Sequence, residues 1–297
     1  MSYDFASLAN QRAEKSRRGQ VARTYKDVSV LAGFMDDEYF RAFAADQIGL
    51  LDRGGIRKLM EQVQEARDFV STLGETELSQ IELRRVDPRV TSRIESDDFF
   101  RSAYSRLTYR FSWINPRKLI AVQVSRQVGK ESVPTDSIGL IEYALPTDWS
   151  VPAEICFVPP FGPIYFTGDS PQLGGIRLSI DDKTGNVLIG PANQVNLIQV
   201  VSFEGRHYLR NGYHRVVSAL EAGLSEIPAL LVEAGSAAEV ELTNLGLASL
   251  NVATLMALTR PPLVADFLSE ASLNIKMREK RYGCCINLQA SPIIVPV

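Results

Sequence analysis

The sequence predicts a mixed α/β fold with a largely helical N-terminal region, an α/β domain and a helical C-terminal extension. Three observations predict it. Apolar residues recur at helical spacing before residue 111. Short runs dense in Ile, Val, Leu and Tyr, punctuated by Gly and Pro, follow from about residue 112. Between Val195 and Glu233 the chain then orders strand, glycine turn, helix and strand. The division this suggests is a basic arm over 1–30, a helical region over 31–111, the α/β domain over 112–235 and a helical packing extension with tail over 236–297.

A chain of 297 residues with 45% hydrophobic, 23% charged and 8% aromatic residues and a formal charge of -3 has the composition of a globular protein. It excludes a largely disordered or broadly cationic one. Two histidines and three cysteines disfavour a multi-histidine metal cage and a disulfide framework. Cys156, Cys284 and Cys285 are therefore expected as reduced core or strand residues. No apolar run reaches the length of a membrane span, and no basic-then-apolar leader opens the chain, so no membrane role and a cytoplasmic location are expected.

Met1 to Lys26 carries Arg12, Lys15, Arg17, Arg18, Arg23 and Lys26 against Asp4 and Glu14, a local charge of +4. Such an arm suits contact with DNA or an acidic partner, or simply a solvated helix. Ile56, Leu59, Met60, Val63, Phe69 and Val70 predict an amphipathic helix, with turns around Asp37 to Leu50 as its packing partner through Phe40, Phe43 and Ala44. Ser96, Asp97 and Asp98 predict a further helix start, running to about Tyr109, with Arg101, Arg106 and Arg110 on a basic or merely solvated face.

Strands are expected over Lys118 to Ser125 and Ser137 to Tyr143, and a proline-rich connection over Val151 to Pro171. Arg177 to Ile180, Val187 to Ile189 and Val195 to Phe203 predict further strands, the first two joined by a turn at Asp181 to Gly185. His207 to Leu209 returns after Glu204-Gly205, and Asn211-Gly212 breaks that strand before a helix stopped at Gly223. Pro228 leads into a strand over Ala229 to Glu233. Beyond it, 239–250, 252–258 and 263–268 are helix-compatible, and Arg260 is the one basic residue of 236–274. That scarcity argues for packing or a protein or homo-oligomer interface over a DNA-recognition helix. Lys276, Arg278, Lys280 and Arg281 form a later basic cluster through which, with the N-terminal arm, DNA contact is conceivable.

Strand, glycine turn and helix together make an anion site. Glycine permits close approach, and the first helical amides point outward without intrahelical partners. Arg215 would add a fork of donors to a phosphate, and His214 a hydrogen bond or a charge. Alternatively, Arg215 neutralises Glu221 or Glu226 while His214 caps the turn.

The run from Tyr208 through Asn211-Gly212-Tyr213-His214-Arg215 and Ala219 to Gly223 and Ile227-Pro228 resembles the core signature of the ParB/sulfiredoxin superfamily, most strongly over 195–233. The resemblance implies a small α/β domain with its phosphate site at this helix start, formed by Asn211, Gly212, Tyr213, His214 and Arg215. It implies a nucleotide ligand, CTP or ATP, with Mg2+ only if the protein is catalytic or nucleotide-dependent. Tyr213 stands where sulfiredoxins have their nucleophilic cysteine, which argues against sulfinic-acid repair. Tyr213 and His214 stand where partition proteins have glutamate and arginine. Asn211 replaces a common aspartate, which weakens metal binding and base chemistry. Catalysis would draw on His214 with Glu204, Asp181 or Asp182. Three classes follow: a ParB-like phosphate- or nucleotide-binding regulator, DNA-associated or not; a phosphoryl-transfer or phosphodiester-hydrolysing enzyme using the same pocket; and a structural or protein-interaction component.

Overall fold

Two capping aspartates organise the first third of the chain. In the computed structural model, which describes residues 25–78, 84–129, 131–147, 154–157, 164–168, 173–180, 187–193, 195–236, 239, 252–278 and 282–286, strand β1 (Tyr25–Val30) leads to α1 (Asp37–Phe43) and the single turn α2 (Ala45–Ile48). Asp36 accepts from the Tyr39 amide at 2.7 Å and Asp52 from the Gly55 amide at 2.7 Å, each starting a helix. The second is α3 (Arg53–Thr72), which takes in Gly54 and Gly55 where the sequence suggests a start after them. Leu59, Val63 and Ala66 form its buried stripe. Leu59 and Val63 share a core with Phe40 and Ala44, the partner face expected of 37–50, and with Val28, Val30 and Ile275 of the neighbouring sheet.

The single helix expected from Ser96 to about Tyr109 is instead two shorter ones, α4 (Pro88–Glu95) and α5 (Asp98–Tyr104). Ser96 closes the first, and Asp97 opens the second by accepting from the Phe99 and Phe100 amides. The reason is tertiary. Tyr109 begins β2 (Tyr109–Ile114); Phe100 stacks on Phe111, and Phe100 and Tyr104 meet Tyr109 edge-on. The boundary expected near residue 112 thus falls inside a strand.

The strand expected over Lys118 to Ser125 is divided between a 3-10 turn (Pro116–Lys118), β3 (Ile120–Ala121) and β4 (Ser125–Gln127). Ser137 to Tyr143 was expected as a strand and is helical, α6 (Ser137–Ala144). Asp136 caps it by accepting from the Gly139 amide at 2.8 Å, and its apolar residues serve a helical face on which Leu140, Ile141 and Ala144 are buried. Strands β5 (Glu154–Phe157) and β6 (Ile164–Gly168) replace the irregular connection expected over Val151 to Pro171. They are followed by β7 (Leu173–Ile180), β8 (Val187–Asn193), β9 (Gln199–Phe203), β10 (Arg206–Asn211), α7 (Tyr213–Glu221) and β11 (Ile227–Glu233).

The C-terminal extension is only partly helical. After α8 (Val252–Ala257) and a 3-10 turn (Val264–Leu268), β12 (Leu273–Arg278) and β13 (Tyr282–Ile286) are strands. Unpaired backbone groups decide this, because β12 completes a sheet edge along β1 from Tyr25↔Arg278 to Val30↔Leu273. The expected helix over 239–250 lies outside the described residues except Glu239.

The described elements fall into two units. The larger, within Tyr25–Asp148 and Val195–Arg278, holds a five-stranded sheet ordered β2-β11-β9-β10-β3 and a three-stranded sheet ordered β12-β1-β4. In the first, β11 runs parallel to β9, and β10 parallel to β3. Ile120, Val122, Val201, Tyr208, Leu255 and Leu263 form a core on one of its faces. The smaller unit, within Trp149–Gln194 and Glu279–Val297, contains the antiparallel sheet β13-β6-β5 and the β7–β8 hairpin. Its strands β5 and β13 carry the three cysteines. Among the described residues, no helix is long and apolar enough to cross a membrane.

Candidate phosphate site

Strand β10, the turn at Gly212, helix α7 and strand β11 follow in the order expected from the sequence. The turn is built from both its residues. Asn211 donates through Nδ2 to the Leu197 carbonyl at 3.1 Å and accepts through Oδ1 from the Gly212 amide at 2.9 Å. Gly212 has φ 95°, and a Cβ there would sit 2.8 Å from Ile198 Cγ1, so both conformation and space require glycine. It is also the N-cap of α7, and no side chain caps that helix. At the other end, Gly223 donates to the Leu220 carbonyl at 3.0 Å and Leu224 to that of Ala219 at 3.0 Å, which is the Schellman closure.

Tyr213 turns inward. It is buried, and its Oη accepts from the Val122 and Gln123 amides at 2.8 and 2.9 Å while donating to the Leu209 carbonyl at 2.9 Å. Burial pushes the phenol pKa up. Its ring meets Phe267 edge-on at 6.1 Å, on a 3-10 turn fastened by the buried Arg260–Asp266 pair at 2.6 Å. Tyr213 thus ties α7 to the segment leaving β3.

Arg215 is also engaged within the fold. Its Nη1 donates to the carbonyls of Tyr143, Ala144 and Asn196 at 3.2, 3.3 and 3.1 Å, and Nη2 donates to Asn196 Oδ1 at 2.8 Å. The guanidinium closes the C-terminus of α6, where a cation suits the orphan carbonyls. Its fork is therefore not free for a phosphate, and neither Glu221 nor Glu226 is its partner. Glu221 pairs with Arg126 at 3.5 Å and Glu226 with Arg84 at 3.2 Å.

His214 is the member of the motif left facing a polar surround. It is half-buried. Burial pushes its pKa down, Glu131 opposes that shift, and Arg126, Lys26 and Arg215 reinforce it. Glu131 accepts from Tyr143 Oη at 2.6 Å. Arg126, on β4, has a side chain only 6% exposed. Its Nε has no partner among the described residues, and burial pulls its pKa down. A buried guanidinium with one long ion pair is under-satisfied, a state that costs several kcal/mol unless a partner supplies the missing acceptors. Sequence reasoning did not single out Arg126, Glu131 or Tyr143, because they lie well before the motif and carry no spacing that links them to it.

The other expected residues do not join this surround. Glu204 (φ 48°) sits in the β9–β10 turn, at the opposite end of β10 from Gly212, about 20 Å away for a strand of this length. Asp181 and Asp182 lie outside the described residues. Asn211 is held by backbone groups at both ends of its amide and offers no carboxylate to Mg2+. Among the described residues no group of three or more His, Cys, Asp or Glu is placed to hold a metal. His207, the second imidazole, lies on β10, buried, with neither ring nitrogen partnered among the described residues. Compared with protein-family models, curated proteins and solved structures, the chain matches none.

Proposed function

We propose that this chain is a ParB-like protein that binds a phosphate-bearing ligand, a nucleotide such as CTP or ATP, at the start of α7. The observation that carries the reading is the meeting of three features. The helix N-terminus has a left-handed glycine for a cap and no capping side chain. Half-buried His214 stands in its first turn, and the under-satisfied Arg126 exerts its charge on that imidazole. Outward amides, the helix dipole and a desolvated guanidinium all favour an anion. In this arrangement Arg126 takes the part that the sequence suggests for Arg215.

The test is native mass spectrometry of the purified protein, followed by calorimetric titration with CTP, ATP and inorganic phosphate. A retained or titratable phosphate ligand whose affinity falls at least about tenfold in Arg126→Gln is expected, the loss of one charge-assisted contact. Absence of binding by all three would overturn the proposal.

Phosphoryl transfer is a second reading, favoured by one observation. Glu131, hydrogen-bonded to Tyr143 and close enough to oppose the burial-driven lowering of the His214 pKa, is the carboxylate nearest to the role considered for Glu204, Asp181 and Asp182. Phosphate release from ATP or CTP in the presence of Mg2+ that is lost in Glu131→Gln would favour it over simple binding.

A further inference from the structure

The surround at the start of α7 already contains an anion. Glu131, between β4 and α6, accepts from Tyr143 Oη at 2.6 Å, and the same hydroxyl lies 3.5 Å from the Arg215 carbonyl in the first turn of α7. Tyr143 is itself fixed there, because Arg215 Nη1 donates to its carbonyl at 3.2 Å and holds the end of α6 against α7. A phenol has one hydrogen to donate, and the shorter contact gives it to the carboxylate. Tyr143 thereby keeps Glu131 beside the helix start.

The charges agree with that geometry. Lys26, Arg126 and Arg215 act on His214 as cations and Glu131 as the carboxylate, and Glu131 acts on Arg215 as well. Outward amides and the helix dipole add to the positive side. Within the free chain, Glu131 supplies the negative charge that this surround favours.

Its tether is slight. Glu131 is exposed. Before it, the Val128 amide is anchored on the Asp27 carbonyl at 2.9 Å, and after it Asp136 caps α6. Among the described residues, the bond to Tyr143 is the one hydrogen bond made by residues 131–135. A single bond must break for the carboxylate to turn into water, where it is readily solvated.

We propose that Glu131 is an internal competitor for the phosphate, occupying the cationic surround at the start of α7 in the free protein and leaving it when a ligand phosphate binds. This role rests on the phosphate-site reading above and adds its regulation. Two anions drawn to the same cations repel each other, so the ligand works against both the carboxylate charge and the Tyr143 bond. Whatever draws Glu131 away raises affinity without touching the ligand.

The experiment is calorimetric titration of the full chain with inorganic phosphate, at about 20 and 200 mM salt, for the wild type, Glu131→Gln, Tyr143→Phe and the double variant. Glu131→Gln removes the charge but keeps an acceptor for Tyr143, and should bind phosphate at least about fivefold tighter, with a smaller gain at high salt. Tyr143→Phe cuts the tether but leaves the charge, and should bind tighter by less. In the double variant the gains should not add, since both relieve one contact. Circular dichroism without phosphate checks the fold of each variant. Equal or weaker binding by Glu131→Gln, or gains that add in full, with phosphate binding still reduced in Arg126→Gln, would overturn the competition and leave the site standing. No binding by the wild type or any variant would remove the site and the competition together.

Discussion

Replacing His207 by leucine should remove a measurable share of the stability loss that the larger unit undergoes between neutral pH and pH 4. The ring is 6% exposed on β10, and neither nitrogen finds a hydrogen-bond partner among the described residues. Burial, helped by the charge of Arg110, lowers its pKa from 6.5 to about 4. The folded state therefore resists a proton that the unfolded chain accepts, and the sign follows from linkage. The stabilisation is fully present above the unfolded pKa of about 6.5, declines as pH falls below it, and is gone near the folded value of about 4. The fall from 6.5 to about 4, at about 1.4 kcal/mol for each tenfold change in proton affinity, amounts to roughly 3 kcal/mol, of which about 2 kcal/mol is lost between pH 7.5 and pH 5.

The assay is urea unfolding of the wild type and His207→Leu at a series of pH values, with hydrogen exchange of the β9 and β10 amides as a local readout. His214 shifts in the same direction, so the difference between the two proteins, not the wild-type slope, isolates His207. Leucine leaves no buried polar atom unpaired, so the variant should match or exceed the wild type near neutral pH. Parallel pH profiles for the two proteins would refute this account of His207.

Two further substitutions test the local architecture of the site. Tyr213→Phe leaves the Val122 and Gln123 amides without their acceptor and should destabilise by about 3 kcal/mol in denaturant titration, although a single oxygen is lost. An effect under about 0.5 kcal/mol would show that water replaces that oxygen. Gly212→Ala places a Cβ 2.8 Å from Ile198 Cγ1 at φ 95° and should cost at least about 2 kcal/mol while abolishing phosphate binding, measured by thermal shift with and without inorganic phosphate. Unchanged stability would mean that the turn rearranges at little cost.

Helix α3 was legible because its apolar spacing is a local property that any partner face could use, and Phe40 and Ala44 supplied that face. Ser137–Ala144 was not. A short segment rich in Ile, Leu and Tyr suits strand or helix equally, and the Asp136 cap together with burial of Leu140, Ile141 and Ala144 decides it. Leu273–Arg278 shows the same limit from the other side, since an unpaired edge on β1, more than two hundred residues earlier in the chain, draws it into a sheet.

The sequence by itself determined the order of strand, glycine turn, helix and strand from β10 to β11, including the glycine at φ 95° and the Schellman stop. These depend on backbone conformations that only particular residues adopt and on bonds between near neighbours. Which donors remain for a ligand was decided by the tertiary structure alone. The Arg215 guanidinium closes α6, Tyr213 ties down the chain after β3, and the under-satisfied cation near His214 is Arg126. A side chain's hydrogen-bonding capacity is set by its chemistry, but its use is set by whichever acceptors packing brings within about 3 Å.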